Sequence, residues 1–202
     1  PTIIVAVIAS IISTVIGTIS AIAIHNMSPR RKAILTNLSY IPMVNPDIVI
    51  GISLLSFFSI LNLKLGYITL ILAHITFNIP YVIFAVLPKL QQLNPNIEEA
   101  ALDLGATPIQ AFFKVILPEI MPGIITGSLL AFTLSLDDFI VSFFTTGSGV
   151  STLSIKVYSM TKRGISPKIN ALSSLMFIAV LALMLLLQLR DAKNKSQSDN
   201  VR

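Results

Sequence analysis

The chain has 202 residues, of which 54% are hydrophobic and only 11% are charged. A soluble domain carries roughly 25% charged residues, so this composition excludes an ordinary water-soluble protein and indicates a polytopic membrane protein. The 14 Lys and Arg exceed the 9 Asp and Glu by five, a surplus that in a membrane chain concerns orientation rather than nucleic-acid binding. Because the chain has no cysteine, disulfides and thiol catalysis are excluded.

Five stretches have the length of about 20 apolar residues that a helix needs to cross a bilayer. The sequence therefore predicts an all-α transmembrane bundle forming a single domain, 1–202. Placing the loop 26–32, the loop ~90–118 and the tail 190–202 in the cytoplasm puts more Lys and Arg on that side than on the other, which favours Pro1 outside and Arg202 inside. The predicted spans are ~2–25, ~33–60, ~67–89, ~119–146 and ~169–189.

The first three spans carry small or helix-breaking residues. Pro42 and Pro46 in the second span remove backbone donors and predict a break or kink. Asn78 and Pro80 in the third span suggest the same. These features fit either a discontinuous helix framing a substrate path or ordinary proline kinks. In the first span, small residues repeat every three or four positions and predict close helix packing: Ala6, Ser10, Ser13, Gly17 and Ala21.

Residues 94–118 interrupt the apolar pattern and predict two short helices. Asn94 or Asn96 would cap the first, which would end near Leu104 at a left-handed Gly105. Thr107 would begin the second with a capping box to Gln110, and Pro118 is placed to begin the next span.

The first of these short helices is acidic on its polar face, through Glu98, Glu99 and Asp103. Helices that rest on lipid headgroups are usually rich in Lys and Arg instead. Ala100 and Ala101 leave a low-profile surface that suits a groove on another protein. We therefore expect this segment to bind a protein partner rather than lipid.

The fourth span contains two adjacent carboxylates, Asp137 and Asp138. Ionisable residues inside a membrane helix are costly and by default indicate a functional site. Together with Asp47 beside the break in the second span, they would suit a cationic cargo. Alternatively, Asp137 or Asp138 bonds free backbone or a neighbouring helix. Asp138 belongs to a small polar face with Gly127, Ala131, Ser135 and Ser142, which we expect to be buried or to line a cavity.

Other polar residues give weaker signals. His25 and His74 lie far apart in sequence without ligand-like neighbours, so we expect packing or interfacial roles and no metal site. The chain has no G-x-x-x-x-G-K-[ST] phosphate loop and does not itself hydrolyse ATP.

The stretch "EAALDLGATPIQAFFKVILP" resembles the signature loop of permease subunits of bacterial ABC importers. Val115 stands where that family usually has Ile. The resemblance implies that the loop docks into a separate ATPase subunit, which binds ATP and Mg²⁺ as a dimer, so that this chain holds no cofactor and catalyses no reaction. The positions that match the family pattern are Glu99, Ala100, Ala101, Gly105, Leu117 and Pro118.

Four further stretches, "NPDIVIGISLL", "HITFNIP", "LSLDDFIVSFFTTG" and "LSIKVYSMTKRGISPKINAL", resemble PotC-like permeases of spermidine/putrescine importers. This resemblance implies a MetI-like fold of six spans in the bacterial inner membrane, a second permease and an extracytoplasmic polyamine-binding protein. Since five spans are found and the chain opens at Pro1 in an apolar run, we expect the first span to be missing.

Two other readings stay open. A related importer would carry ferric ion, an organophosphonate or another small solute. A membrane-embedded hydrolase would use Asp137 and Asp138, although adjacent residues on a helix point about 100° apart and do not easily form a dyad.

Overall fold

The computed structural model describes residues 2–161, 171, 173–182 and 184. Two compact units are distinguished, Pro1–Ile155 and Lys156–Arg202. In the second, the described residues include a short apolar helix, Ser173–Ala182. The predicted span ~169–189 falls partly outside the described residues, and the tail 190–202 falls wholly outside them.

The described residues form helices and no strands, which confirms the all-α prediction. Three of the helical stretches are long and apolar enough to cross a membrane, or four if one bent pair counts as a span. The helices are α1 (Thr2–His25), α2 (Pro29–Val44), α3 (Asp47–Ile60), α4 (Tyr67–Gln92), α5 (Ile97–Asp103), α6 (Pro108–Ala111), α7 (Leu117–Asp137), α8 (Ile140–Thr145) and α9 (Leu153–Thr161), with a π-helical turn, Phe112–Ile116, joining α6 to α7.

Helices α1, α4 and α7 pack together and form the main core. The predicted small-residue face of α1 is buried along its length, which lets α4 approach closely. A Cβ added at Gly17 would lie 2.6 Å from the Cβ of Val82 on α4. The opposite face of α1 exposes Ile and Val side chains such as Ile3 and Ile11, as expected of a surface in contact with lipid.

The predicted second span is two helices rather than one. The helix axis bends by 103° between α2 and α3. The break lies at Asn45–Pro46, whereas Pro42 lies inside α2. A proline disfavours the helical conformation of the residue before it, and Asn45 is extended, with φ −72° and ψ 142°. Pro46 therefore ends α2, and the prediction of a break is confirmed at this proline only.

The predicted fourth span, ~119–146, also differs from the structure. A single helical stretch runs from Pro108 to Asp137, and the chain then turns extended at Asp138, with φ −60° and ψ 124°. The short helix α8 follows and packs on α3 and α4. Phe58, Ala73 and Val141 form a second, smaller core between these three helices.

We predict that Gly17→Val destabilises the protein by about 1–3 kcal/mol, because the added carbons overlap Val82 and force α1 away from α4. Gly66→Val is the matched control, since nothing lies within 4 Å of a Cβ added there. The measurement is the fraction of detergent-solubilised protein that stays monodisperse after heating. Equal losses in the two variants would contradict the close α1–α4 contact.

Candidate functional site

The segment 97–118, here called the coupling segment, begins with a helix that ends in a glycine turn. Gly105 has φ +85°, a conformation that side chains with a Cβ rarely adopt. The Gly105 N–H donates to the Leu102 carbonyl at 2.9 Å, and the Ala106 N–H donates to the Ala101 carbonyl at 3.1 Å. These two bonds satisfy carbonyls at the end of α5 as in a Schellman motif. The predicted turn at Gly105 is confirmed.

The caps of the coupling segment follow the prediction in one helix and depart from it in the other. The Gln110 N–H donates to Thr107 Oγ1 at 3.3 Å, and the Thr107 N–H donates to Gln110 Oε1 at 3.0 Å, so the capping box is present. At the start of α5 the Asn96 side chain caps nothing. The Asn94 side chain instead accepts a hydrogen bond from the Asn96 N–H at 3.0 Å.

Pro118 lies in the first turn of α7, as predicted, but α7 does not begin after a break in the helical stretch. The chain passes from α6 to α7 through the π-helical turn, where the Leu117 N–H reaches back to the Phe112 carbonyl. A proline within an α-helix clashes with the carbonyl four residues earlier, here that of Lys114. The wider turn directly before Pro118 accommodates its ring while the helix continues.

The coupling segment presents an acidic and apolar surface. Glu98, Glu99 and Ala100 are exposed. Ala101 is only 8% exposed and Ala111 is fully buried, since α5 folds back on α6 and the π-helical turn. Ala101 therefore packs within the chain, whereas the sequence had predicted it on the low-profile surface beside Ala100. Large apolar side chains are exposed beside the acids: Leu104 at 90%, Ile109 at 71% and Phe113 at 60%.

The coupling segment lies at the same end of the bundle as the loop after α1. His25 and Asn26 line a cavity of about 500 Å³ together with Leu93, Glu98 and Phe112. The loops 26–32 and ~90–118, predicted on one side of the membrane, thus meet at one end.

A second cavity, of about 400 Å³, opens where α7 gives way to α8. It brings together Asp47, Asp137 and Asp138, the three carboxylates singled out in the sequence. We call this cavity the acidic cleft. Its remaining lining is largely apolar: Phe77, Thr133, Leu134, Phe139 and Ile140.

The carboxylate of Asp138 accepts hydrogen bonds from the backbone of α8. Its Oδ1 accepts a hydrogen bond from the Val141 N–H at 3.2 Å, and its Oδ2 accepts one from the Ser142 N–H at 2.6 Å. The first amides of a helix have no partner within the helix, and a carboxylate placed there satisfies them. The side chain is only 6% exposed. Asp138 therefore caps α8, as the structural alternative in the sequence analysis proposed.

Asp137 and Asp47 are placed differently. Both are exposed, and within the described part of the chain neither carboxylate accepts a hydrogen bond. Asp47 lies in the first turn of α3, where the helix dipole favours a negative charge. These two carboxylates are the ones available to a ligand in the acidic cleft.

His74 makes polar contacts that the sequence did not predict. Its Nε2 lies 3.0 Å from Ser142 Oγ and 3.5 Å from Asp138 Oδ2, and the residue is 1% exposed. One turn further along α4, Asn78 Nδ2 donates to Ser135 Oγ at 2.7 Å. Two polar residues four apart on an apolar helix share a face, and that spacing was the signal for a polar contact with the fourth span.

The small polar face predicted on the fourth span is buried. Gly127, Ala131 and Ser135 on α7 are covered, as is Ser142 on α8. A Cβ added at Gly127 would lie 3.2 Å from the Val82 Cα, so α4 covers this face closely. That part of the prediction is confirmed.

The arrangement does not support hydrolysis. One histidine nitrogen faces both Ser142 and Asp138, whereas a catalytic triad uses the two ring nitrogens separately. Asp137 is exposed while Asp138 bonds α8, so the two carboxylates do not share a proton as a dyad does. Within residues 2–161 and the described part of the last helix, no group of three or more His, Asp or Glu is arranged to hold a metal ion.

We predict that Asp138→Ala destabilises α8 by about 0.5–2 kcal/mol, because two amides lose their acceptor, whereas Asp138→Asn retains most of the stability. Thermal inactivation in detergent compares the two variants. A loss of stability in Asp138→Asn as large as that in Asp138→Ala would show that charge, and not capping, is what the position supplies.

Comparison with known proteins places this chain in a family. Residues 3–194 match the family described as binding-protein-dependent transport system inner membrane component. The chain is 39% identical to the spermidine/putrescine transport system permease protein PotC of Haemophilus influenzae, over 92% of this chain and 72% of that protein. It is 39% identical to PotC of Escherichia coli strain K12, over 98% and 75% of the two chains.

A third relative is the putrescine transport system permease protein PotI of Escherichia coli strain K12, 47% identical over 69% of this chain and 52% of PotI. The family consists of transport subunits of ABC systems, which work with an ATPase and a binding protein and are not enzymes. The chain therefore belongs to the binding-protein-dependent transport system inner membrane components, as a multi-pass permease subunit of the inner membrane.

Proposed function

We propose that this permease conducts polyamines such as spermidine and putrescine, with the acidic cleft on their path. The relatives named for these cargoes match along most of the chain. Polyamines are flexible chains of methylene groups that carry ammonium groups. A path for them needs carboxylates to balance the ammonium charge and apolar or aromatic surface against the methylenes.

The acidic cleft combines both kinds of surface. Asp47 and Asp137 offer carboxylates from separate helices, and the rings of Phe77 and Phe139 line the same cavity. A volume of about 400 Å³ falls within the range of small-molecule sites. The observation that carries the proposal is this convergence of carboxylates from two parts of the chain at the break between α7 and α8.

We predict that Asp137→Asn raises the apparent KM for spermidine by about two- to fivefold, because one exposed charge contact to the cargo is lost. Uptake of radiolabelled spermidine is measured in cells that lack other polyamine importers and express the whole transporter. Asp47→Asn is expected to act in the same direction.

Glu119→Gln is the matched control, since it removes an exposed charge in the first turn of α7, at the other end of that helix. Unchanged uptake in both Asp137→Asn and Asp47→Asn would remove the cleft from the path. No spermidine or putrescine uptake by the unaltered transporter would refute the cargo assignment itself.

We further propose that the coupling segment docks into a cleft of the ATPase subunit. Its exposed Leu104, Ile109 and Phe113 would enter apolar pockets, and Glu98 and Glu99 would meet basic groups at the rim. Because its polar face is acidic, the coupling segment is better suited to bind a protein than anionic lipid. A dimeric ATPase, a second permease and a polyamine-binding protein complete the transporter that we propose.

We predict that Gly105→Val loses uptake while membrane insertion stays intact. A β-branched residue in the left-handed region costs about 1–3 kcal/mol, and this strain opens the turn that shapes the docking surface. Gly105→Asn, which tolerates that conformation better, should retain part of the uptake.

Gly149→Val is the control for strain alone. Gly149 also has a positive φ, +97°, and at both positions nothing lies within 4 Å of an added Cβ. Normal uptake in Gly105→Val, or an equal loss in Gly149→Val, would contradict the docking proposal.

A further inference from the structure

We infer that His74 is a positioning residue, which holds the break between α7 and α8 and thereby fixes the place of Asp137 in the acidic cleft. The significance of this role for transport rests on the proposed function of the cleft. The placement itself is a property of the fold and is testable without transport.

The inference begins with the contacts of His74. Its Nε2 lies within hydrogen-bond distance of Ser142 Oγ, at 3.0 Å, and near Asp138 Oδ2, at 3.5 Å. Its Nδ1 is buried and finds no hydrogen-bond partner in the part of the chain that the structure describes. The ring is best satisfied when Nε2 carries the proton and donates it toward these two oxygens.

Those two oxygens belong to the two sides of the break. Asp138 is the extended residue that follows α7, and Ser142 lies in the first turn of α8. Asp138 Oδ2 also accepts the Ser142 N–H, so His74, Asp138 and Ser142 form a closed group of three. One side chain from α4 therefore contacts both partners of the cap that begins α8.

Other residues of α4 contact the helices on either side of the break, so His74 is the α4 residue that contacts the break itself. Asn78 Nδ2 holds Ser135 on the last turns of α7, and Thr69 Oγ1 donates to the Thr145 carbonyl at the end of α8 at 2.9 Å. Asp137 lies between these contacts and directly precedes the capping residue. Its own side chain is exposed, so its position depends on its backbone. Asp138 and His74 hold that backbone on the α8 side, and Ser154 Oγ donates to the Asp137 carbonyl at 3.5 Å.

The alternative is that His74 only fills space in the core. A space-filling role predicts that any side chain of similar size serves equally and that the effects spread over the whole helix pair. A positioning role predicts that only a donor at the place of Nε2 serves, and that the effect is confined to the break. Glutamine extends its amide to about the place of Nε2, whereas the shorter asparagine does not.

The test uses the natural absence of cysteine from the chain. The Asp137→Cys variant is assembled into the transporter and reacted with a cationic methanethiosulfonate. Labelling is followed on this chain. The rate is compared in three backgrounds: unaltered His74, His74→Asn and His74→Gln. We expect His74→Asn to change the rate at position 137 by about three- to tenfold, the equivalent of one lost hydrogen bond, and His74→Gln to restore it.

Thr133→Cys is the matched control position. Thr133 lines the same cleft one turn earlier on α7, where the helix is regular and remote from the cap. Its labelling rate should stay the same in all three backgrounds. A rate at position 137 that is unchanged in His74→Asn, or changed equally in His74→Asn and His74→Gln, overturns the inference.

One further variant and one further measurement keep the test decisive. If His74→Asn does not assemble, Ser142→Ala, which deletes one oxygen, should change the rate at position 137 in the same direction, and no change would overturn the inference. Apparent KM values for spermidine are measured in parallel in chains with Asp137 intact. If the labelling rate at position 137 changes as expected but the transporter takes up no polyamine, the proposed cargo is refuted and the positioning role is upheld. If polyamine uptake is normal but the labelling rate at position 137 is the same in all three backgrounds, the cargo is upheld and the positioning role is refuted.

Discussion

The amides at the start of α8 have no partners within that helix, and the carboxylate of Asp138 satisfies two of them. In a membrane-spanning chain, an interrupted helix is stable only where protein covers the free backbone groups. Asp138 supplies that cover, and α4 supports it through His74. The break between α7 and α8, and the acidic cleft beside it, depend on this one cap.

The cap also divides the carboxylates by role. The side chain of Asp138 is buried, and both of its carboxylate oxygens accept hydrogen bonds from the backbone of α8. Its carboxylate is therefore not free to contact a cargo. Asp137, its neighbour in sequence, is exposed in the cleft, and so is Asp47 at the start of α3. Both of these acids stand next to a break in a helix, which is where discontinuous membrane helices expose groups to a cargo.

The coupling segment and the cleft are joined by one continuous helical stretch. It begins at the Thr107 cap and ends at Asp137, and its 30 residues span about 45 Å. A displacement at the coupling segment would therefore reach the cleft along a single element. The π-helical turn before Pro118 is the irregular point of that element and the place where its two parts would bend.

The sequence alone predicted the features that depend on local chemistry. The small residues of α1 repeat at helical spacing, Gly105 suits a left-handed turn, and Thr107 with Gln110 forms a capping box; each follows from a few neighbouring residues. The cap at Asp138 and the role of His74 were decided only by the tertiary structure. An apolar run looks the same whether its helix continues or breaks, and the partner that makes the break stable lies on another helix, 64 residues away in the chain.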